Sequence, residues 1–250
     1  MPVGTLPWTF ETRGILRGRD RIRLLGQALI LESRTLSGRL RRSLGLTRSH
    51  LARLDLDQLP VPDSPAARRA EEVCAMTPAV VDHSYRTYLW AAALAACDGI
   101  SYDAELLYVA SLVHDIGFPE PQYAPDGSPC CLSFTGAQAA LEVGADAGWD
   151  QDRSEAAAEA ITLHVNLWVR RRSGPEAYLM FAGARLDQTG FRYWDLAPET
   201  EHAVLERHPR TAWKATSCAM MKRQAKGSRA DFYTRYLAAN WFIKHAPFEE

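Results

Sequence analysis

The chain has 250 residues, 47% of them hydrophobic and 24% charged, a balance that suits a globular protein able to bury a sizeable core. A formal net charge of −1 excludes a molecule-wide attraction to nucleic acid or to a lipid surface. Five cysteines (Cys74, Cys97, Cys130, Cys131, Cys218) without a CxxC spacing exclude a disulfide framework and a zinc ribbon, and fit a reducing, cytoplasmic setting.

Strand-like alternation is scarce, and Ala, Leu, Arg and Glu dominate, so the expected fold class is all-α. Residues 1–12, with Pro2 and Pro7, read as irregular. Residues 14–45 carry a basic amphipathic pattern, with Ile22, Leu25, Leu29 and Leu36 near helical spacing. Residues 13–53 hold eleven arginines against Asp20 and Glu32, a solvated helix face or a docking segment for an acidic partner. The same arginines interrupt every apolar run that a signal peptide would need. Pro60, Pro62 and Pro65 mark a break, which divides the chain into an extension, 1–60, and a main domain, 61–250.

Helices are then expected over about Pro65–Met76, from Pro78 behind a Thr77 cap to Cys97 with a stop at Gly99, and from Ser101 to Gly117. A Pro- and Gly-rich loop spans 118–132, a candidate lid. Helices follow at about 134–147, from an Asp152/Glu155 capping box to about Arg171, from Pro175 to about Thr189, and two or three more within 198–246. No stretch is apolar over the length needed to span a bilayer.

Four segments place His or Asp among apolar helical neighbours: VVDHSYRTYLW (80–90), SLVHDIGF (111–118), AITLHVNLW (160–168) and GARLDQTG (183–190). Neighbouring helical residues such as His114 and Asp115 reach one point only in the wedge between them, where a metal ion fits; imidazole and carboxylate suit zinc, iron or manganese. His83 returns from the preceding helix, and Asp187 supplies a fourth ligand from a later one, with Gly183 one turn earlier permitting close packing. Singly, each is equally a satisfied core residue; together, on three core helices, they point to one metal. His164 is a further ligand or acid/base group, with Asp115 sharing proton transfer. Arg86, on the His83 face, either binds an anionic substrate or pairs with a ligand carboxylate, and Arg185 should point elsewhere. Asn166, Gln188 and Phe118 are candidate pocket residues.

On these residues the sequence resembles the HD-domain metal-dependent superfamily. The strings HSYRTYLWAAAL (83–94), YDAELLYVASLVHDIGF (102–118), EAITLHVNLWV (159–169), EAYLMFAGARLDQTG (176–190) and HAVLERHPR (202–210) are similar to its cyanamide hydratase-like branch. The resemblance covers about 65–250 and implies an HD-domain helical bundle behind an Arg-rich helical extension. It implies one divalent metal, zinc first, on His83, His114, Asp115 and Asp187, and addition of water to a small nitrile-like substrate. Two-iron relatives carry extra histidines between the HD pair and the last Asp, and here only His164 lies in that interval. The alternatives are an HD-type phosphohydrolase acting on a nucleotide or small phosphate ester, an iron-dependent oxygenase, and a non-catalytic scaffold docked through 13–53. The expected partner is a small-molecule substrate, with neither nucleic acid nor membrane. The C-terminal aromatics Tyr236, Trp241 and Phe242 leave a homo-oligomer open.

Overall fold

A computed structural model describes residues 1–46, 55–59 and 61–250. Pro60 and the last part of the basic segment, 47–53, lie outside the described residues. Twelve α-helices occur among the described residues: α1 (Leu6–Thr12), α2 (Gly18–Ser43), α3 (Pro65–Ala75), α4 (Val81–Asp98), α5 (Ala104–Val113), α6 (Leu132–Asp146), α7 (Gln151–His164), α8 (Pro175–Thr189), α9 (Pro198–Arg207), α10 (Trp213–Arg223), α11 (Arg229–Tyr236) and α12 (Ala239–Lys244). The all-α expectation is therefore met. Two short antiparallel strands, β1 (Gln122–Tyr123) and β2 (Pro129–Cys130), make a hairpin inside the segment expected to be a loop.

The local signals act where short-range chemistry decides. Pro175 opens α8, and Gly190, at φ +74°, closes it. Gly99 ends α4 in the left-handed conformation. Several caps differ from expectation. The α7 cap is Asp150, whose side chain accepts from the Arg153 N–H, and the helix stops at His164 rather than near Arg171. The α5 cap is Asp103, not Ser101, and α5 ends at Val113. Thr77 makes no cap bond; a 3₁₀ turn over Pro78–Val80 leads into α4 instead.

α4 is the central rod. Every residue from Tyr88 to Ala95 is buried, as expected of a helix that is apolar all round. It packs most extensively on α8, with α5 and α3 alongside, while α6 and α7 pair with each other and with α5, and α7 also packs on α8. Two glycines permit the closest approaches. A Cβ at Gly183 of α8 would come 2.4 Å from the Thr87 carbonyl oxygen of α4, and one at Gly136 of α6 would come 2.5 Å from that of His114.

A second core joins both ends of the chain. Val3, Trp8, Leu16 and Leu24 pack with Phe118, Leu132, Val165, Leu167, Trp213, Met220, Phe232 and Ile243. The N-terminal strap is held by backbone bonds from the Leu16 N–H to the Gly227 carbonyl and from the Cys131 N–H to the Arg13 carbonyl, each 2.9 Å. On α2 the inward face is carried by Leu24, with Ala28 and Leu31 packed beside it. The residues whose spacing first suggested the helix, Ile22, Leu25, Leu29 and Leu36, are all exposed.

A buried ion-pair network ties the end of α4 to the turn after α8. Arg192 grips Asp98 with Nη1 at 2.7 Å and Nη2 at 3.1 Å and also meets Asp195 at 2.6 Å, while Arg171 reaches Asp98 at 2.7 Å. Burial works to raise the Asp98 carboxyl, but the Arg192 bonds and the two arginine charges outweigh it and hold it below the usual carboxylate range. Asp98→Ala should cost about 1.5–3 kcal/mol in chemical denaturation at pH 7, since it removes the bidentate partner of a buried cation and leaves Asp195 to hold it. A depressed carboxylate stabilises the fold fully above its unfolded pKa of about 3.9 and loses that contribution as pH falls. The gap between wild type and variant should therefore narrow below about pH 4. A gap that widens on acidification would show the network to be neutral.

Candidate metal centre

His83 lies in the first turn of α4, and the face it shares with Arg86 and Trp90 converges on Asp187 of α8. The Asp187 carboxylate lies 2.6 Å from His83 Nδ1 through Oδ2 and accepts from Arg86 Nε (2.7 Å) and Trp90 Nε1 (3.0 Å) through Oδ1. Arg86 Nη2 adds a bond to Oδ2 at 3.1 Å. Arg210 Nη1, from the turn before α10, donates to Oδ1 at 2.8 Å and to the Asp187 carbonyl at 2.7 Å. Burial works to raise this carboxyl, but the charges of Arg86 and Arg210 outweigh it and hold it well below the usual range. Trp213 stacks on the other side of the His83 ring, centroids 4.4 Å apart and planes 17° apart.

His114 and His164 share a local device. Each stands at the C-terminal end of its helix, where carbonyls lack intrahelical donors. Each turns Nδ1 back to the carbonyl three residues earlier, His114 to Ser111 at 2.7 Å and His164 to Ile161 at 2.5 Å. With Nδ1 of all three rings placed on an acceptor, the neutral form of each ring has its lone pair on Nε2.

Those lone pairs gather on Asp115. His83 Nε2 and His114 Nε2 are 3.3 Å apart, and each is 3.4 Å from Asp115 Oδ2. His164 Nε2 lies 3.5 Å from the other oxygen, Oδ1. All four side chains are buried. Two imidazole lone pairs and a carboxylate at such separations repel one another unless a cation stands between them. Ligand atoms on a tetrahedral zinc at about 2.0–2.1 Å lie about 3.3–3.4 Å apart, so the spacing itself fits a metal ion. His83, His114 and Asp115 are the set that would hold it. His164 adjoins it across Asp115, and burial pushes its ring down to about 4, which keeps Nε2 unprotonated at neutral pH.

Three sequence expectations are corrected here. Asp187 does not face the shared point; it stands behind His83, fixing that ring through Nδ1. Arg86 is not free for substrate, because its guanidinium is fully buried and spent on Asp187 and on the His208 and Pro209 carbonyls. Asn166 leaves the pocket for the N-terminal strap, donating to the Val3 carbonyl (2.9 Å) and accepting from Arg229 (2.8 Å). Phe118 does line the cavity at the centre, its N–H on the Asp115 carbonyl and its own carbonyl held by Gln224.

The centre opens into a cavity of about 140 Å³. Its walls are mainly apolar, among them Phe118, Leu132, Val165, Phe191, Met221 and Ile243. Ala28, Leu31, Glu32, Thr35 and Arg39 of α2 also line it, so the N-terminal helix helps to build the site. Sequence reasoning missed Arg210, Trp90 and Trp213. Trp90 had a signal, being two helical turns from His83; Arg210 and Trp213 come from a distant segment with no spacing to reveal them.

Residues 80–204 match the HD domain family, half of the chain, from the turn before His83 into α9. No curated protein matches the chain.

His114→Ala should abolish metal binding. Asp187→Asn should weaken it about 10–100-fold, the usual effect of removing a carboxylate that orients a ligand histidine. Competition against a chromogenic chelator separates the two; complete loss in Asp187→Asn would make Asp187 a ligand in its own right.

Proposed function

The chain belongs to the HD domain family of metal-dependent hydrolases and phosphohydrolases, and from that premise we propose that it adds water to a small nitrile-like substrate with one divalent metal ion, zinc, at the centre. This is the chemistry of the cyanamide hydratase-like branch that the sequence resembles. The observation that carries it is the cavity. At about 140 Å³ it is close to a void that accepts benzene, and it is mostly apolar. A compact substrate with an apolar body suits it.

An ion held by His83, His114 and Asp115 would supply Lewis acidity, lowering the pKa of water toward neutrality and polarising an acceptor nitrogen. The protein does the rest. Asp187 and Trp213 fix the His83 ring between them. His164 presents an unprotonated Nε2 beside Asp115 Oδ1, placed to take a proton from water and return it to the product nitrogen. Phe118 and Leu132 exclude bulk water from that exchange.

The phosphohydrolase reading needs cations beside the centre to hold phosphate. Arg86 and Arg210 both pair with Asp187 behind His83 and are absent from the cavity walls, which leaves Arg39 and Arg185 as the arginines that line it. The oxygenase reading needs ligands for a second ion, and among the described residues no further imidazole or carboxylate completes such a set.

Elemental analysis should find one zinc per chain, and the zinc-loaded protein should form urea from cyanamide while leaving nucleoside monophosphates and a chromogenic phosphate ester intact. Two irons with oxygen-dependent turnover would overturn the reading. His164→Gln should keep its metal and lose about 10²–10⁴-fold in kcat; an unchanged kcat removes His164 from the proton path.

A further inference from the structure

The metal centre leaves part of the cavity unexplained. α8 divides its residues by helical periodicity. Gly183 and Asp187 face α4, while Ala184, Arg185, Gln188 and Thr189 line the cavity. Arg185 therefore does turn away from Asp187, as its spacing suggests, but it turns into the cavity. Its guanidinium lies over the Phe181 ring at 5.9 Å and donates Nη2 to the Asn166 carbonyl at 3.0 Å. Among the described residues it has no ion-pair partner. Glu32, across the cavity, acts on it only at a distance, and burial pushes the guanidinium below its usual range. The residue is half-buried in the cavity wall, where a cation without an anion is costly to keep.

Two more polar groups on the same walls lack partners. The Tyr233 hydroxyl is buried without a hydrogen bond. Burial raises it to about 12 against the pull of the Arg229 and Arg185 charges, so it keeps its proton and can donate. Gln188 gives Nε2 to Ser217 Oγ at 2.6 Å and leaves Oε1 buried and unpaired. Turning the amide over exchanges the atoms without removing the vacancy. Such atoms in a folded interior usually mark a missing partner.

We propose that Arg185, with Tyr233 and Gln188, forms an anion-anchoring pole of the cavity, and that the molecule processed at the centre is a small carboxylate with an apolar body about the size of a benzene ring. The proposal rests on the reading of this cavity as the substrate site of a metal enzyme. Size sets the body: about 140 Å³ walled by Phe118, Leu132, Val165, Phe191, Met221 and Ile243. Charge sets the anchor. Glu32 and Arg39 of α2 also line the cavity, one charge of each sign, so Arg185 is the excess cation of the protein wall and matches a monoanion. A guanidinium reads the planar carboxylate through paired N–H donors, and the tyrosine hydroxyl adds a third. A phosphate dianion would carry a second charge that Arg185 alone does not match.

The test is calorimetric titration of the zinc-loaded full chain with benzoate, benzyl alcohol and phenyl phosphate, with metal content measured on each sample. Benzoate should bind the wild type at least tenfold more tightly than Arg185→Gln, while benzyl alcohol affinity changes less than threefold. Tyr233→Phe, which removes one oxygen and keeps the ring, should weaken benzoate several-fold and guards against a misfolded arginine variant. Equal benzoate binding by all three proteins places the carboxylate elsewhere, on the metal included, and overturns the anchor. Equal losses for benzoate and benzyl alcohol would report a collapsed cavity and also overturn it. A larger Arg185 dependence for phenyl phosphate would make the pole a phosphate site. Because binding is read without turnover, a chain that fails to hydrate nitriles yet shows Arg185-dependent benzoate binding loses the reaction assignment and keeps the anchor.

Discussion

A carboxylate with no solvent exposure, Asp187, stands where α4, α8 and the turn before α10 meet. Leaving such a charge unpaired would cost several kcal/mol, and removing a single partner from a buried pair costs nearly as much. Arg86, Arg210 and Trp90 satisfy it from three directions, and the fourth direction is His83 Nδ1. That last bond commits the ring to presenting Nε2 inward. The centre is thus oriented from behind, by a group that need not touch the ion. The close α4–α8 packing that brings the carboxylate to the ring depends in turn on Gly183, where any side chain would collide with the Thr87 carbonyl.

The other two imidazoles are set by a different economy of hydrogen bonds. His114 and His164 each end a helix, and each satisfies a carbonyl of the last turn with Nδ1. The same bond that closes the helix selects the tautomer. The lone pairs of His83 and His114 and the Asp115 carboxylate then meet within van der Waals distance of one another, an arrangement that is stable with a cation and repulsive without one, while His164 adjoins the other oxygen of Asp115. Local backbone chemistry and metal chemistry are coupled at these positions, since lengthening α7 or α5 by a turn would remove both the bond and the ligand direction.

Around the centre, the two cores have different tasks. The larger one, built on α4, α5, α7 and α8, fixes the imidazoles and carboxylates. The second unites the N-terminal strap with the C-terminal helices and supplies the apolar walls of the cavity. Most of the apolar wall thus comes from the second core, while Ala184 and Phe191 of the first complete it. The same division explains why α2, outside the span that matches the family, still reaches the site.

The sequence alone was enough to give the helical class, the major helices of the main body and the His83, His114, Asp115 set. Each follows from short-range rules: apolar periodicity, a proline or glycine at a helix end, and ligand-type residues inside core-like helices. It pointed to Gly183 as a packing site for the same reason. It misjudged which face of α2 is buried, because Ile22, Leu25, Leu29 and Leu36 have the spacing of a core stripe yet lie exposed. It also misplaced Asp187 and Asn166, and it left open the choice between substrate and carboxylate for Arg86. Residue type shows that a group can ligate or bind, but not which neighbour reaches it first. That competition is decided by tertiary structure: Arg210, more than twenty residues along the chain, and Arg86, from another helix, claim Asp187 before the shared point does, while Val3 at the start of the chain claims Asn166. Arg185 shows the converse, a residue whose spacing predicts only a direction and whose meaning comes from the cavity that the rest of the chain builds there.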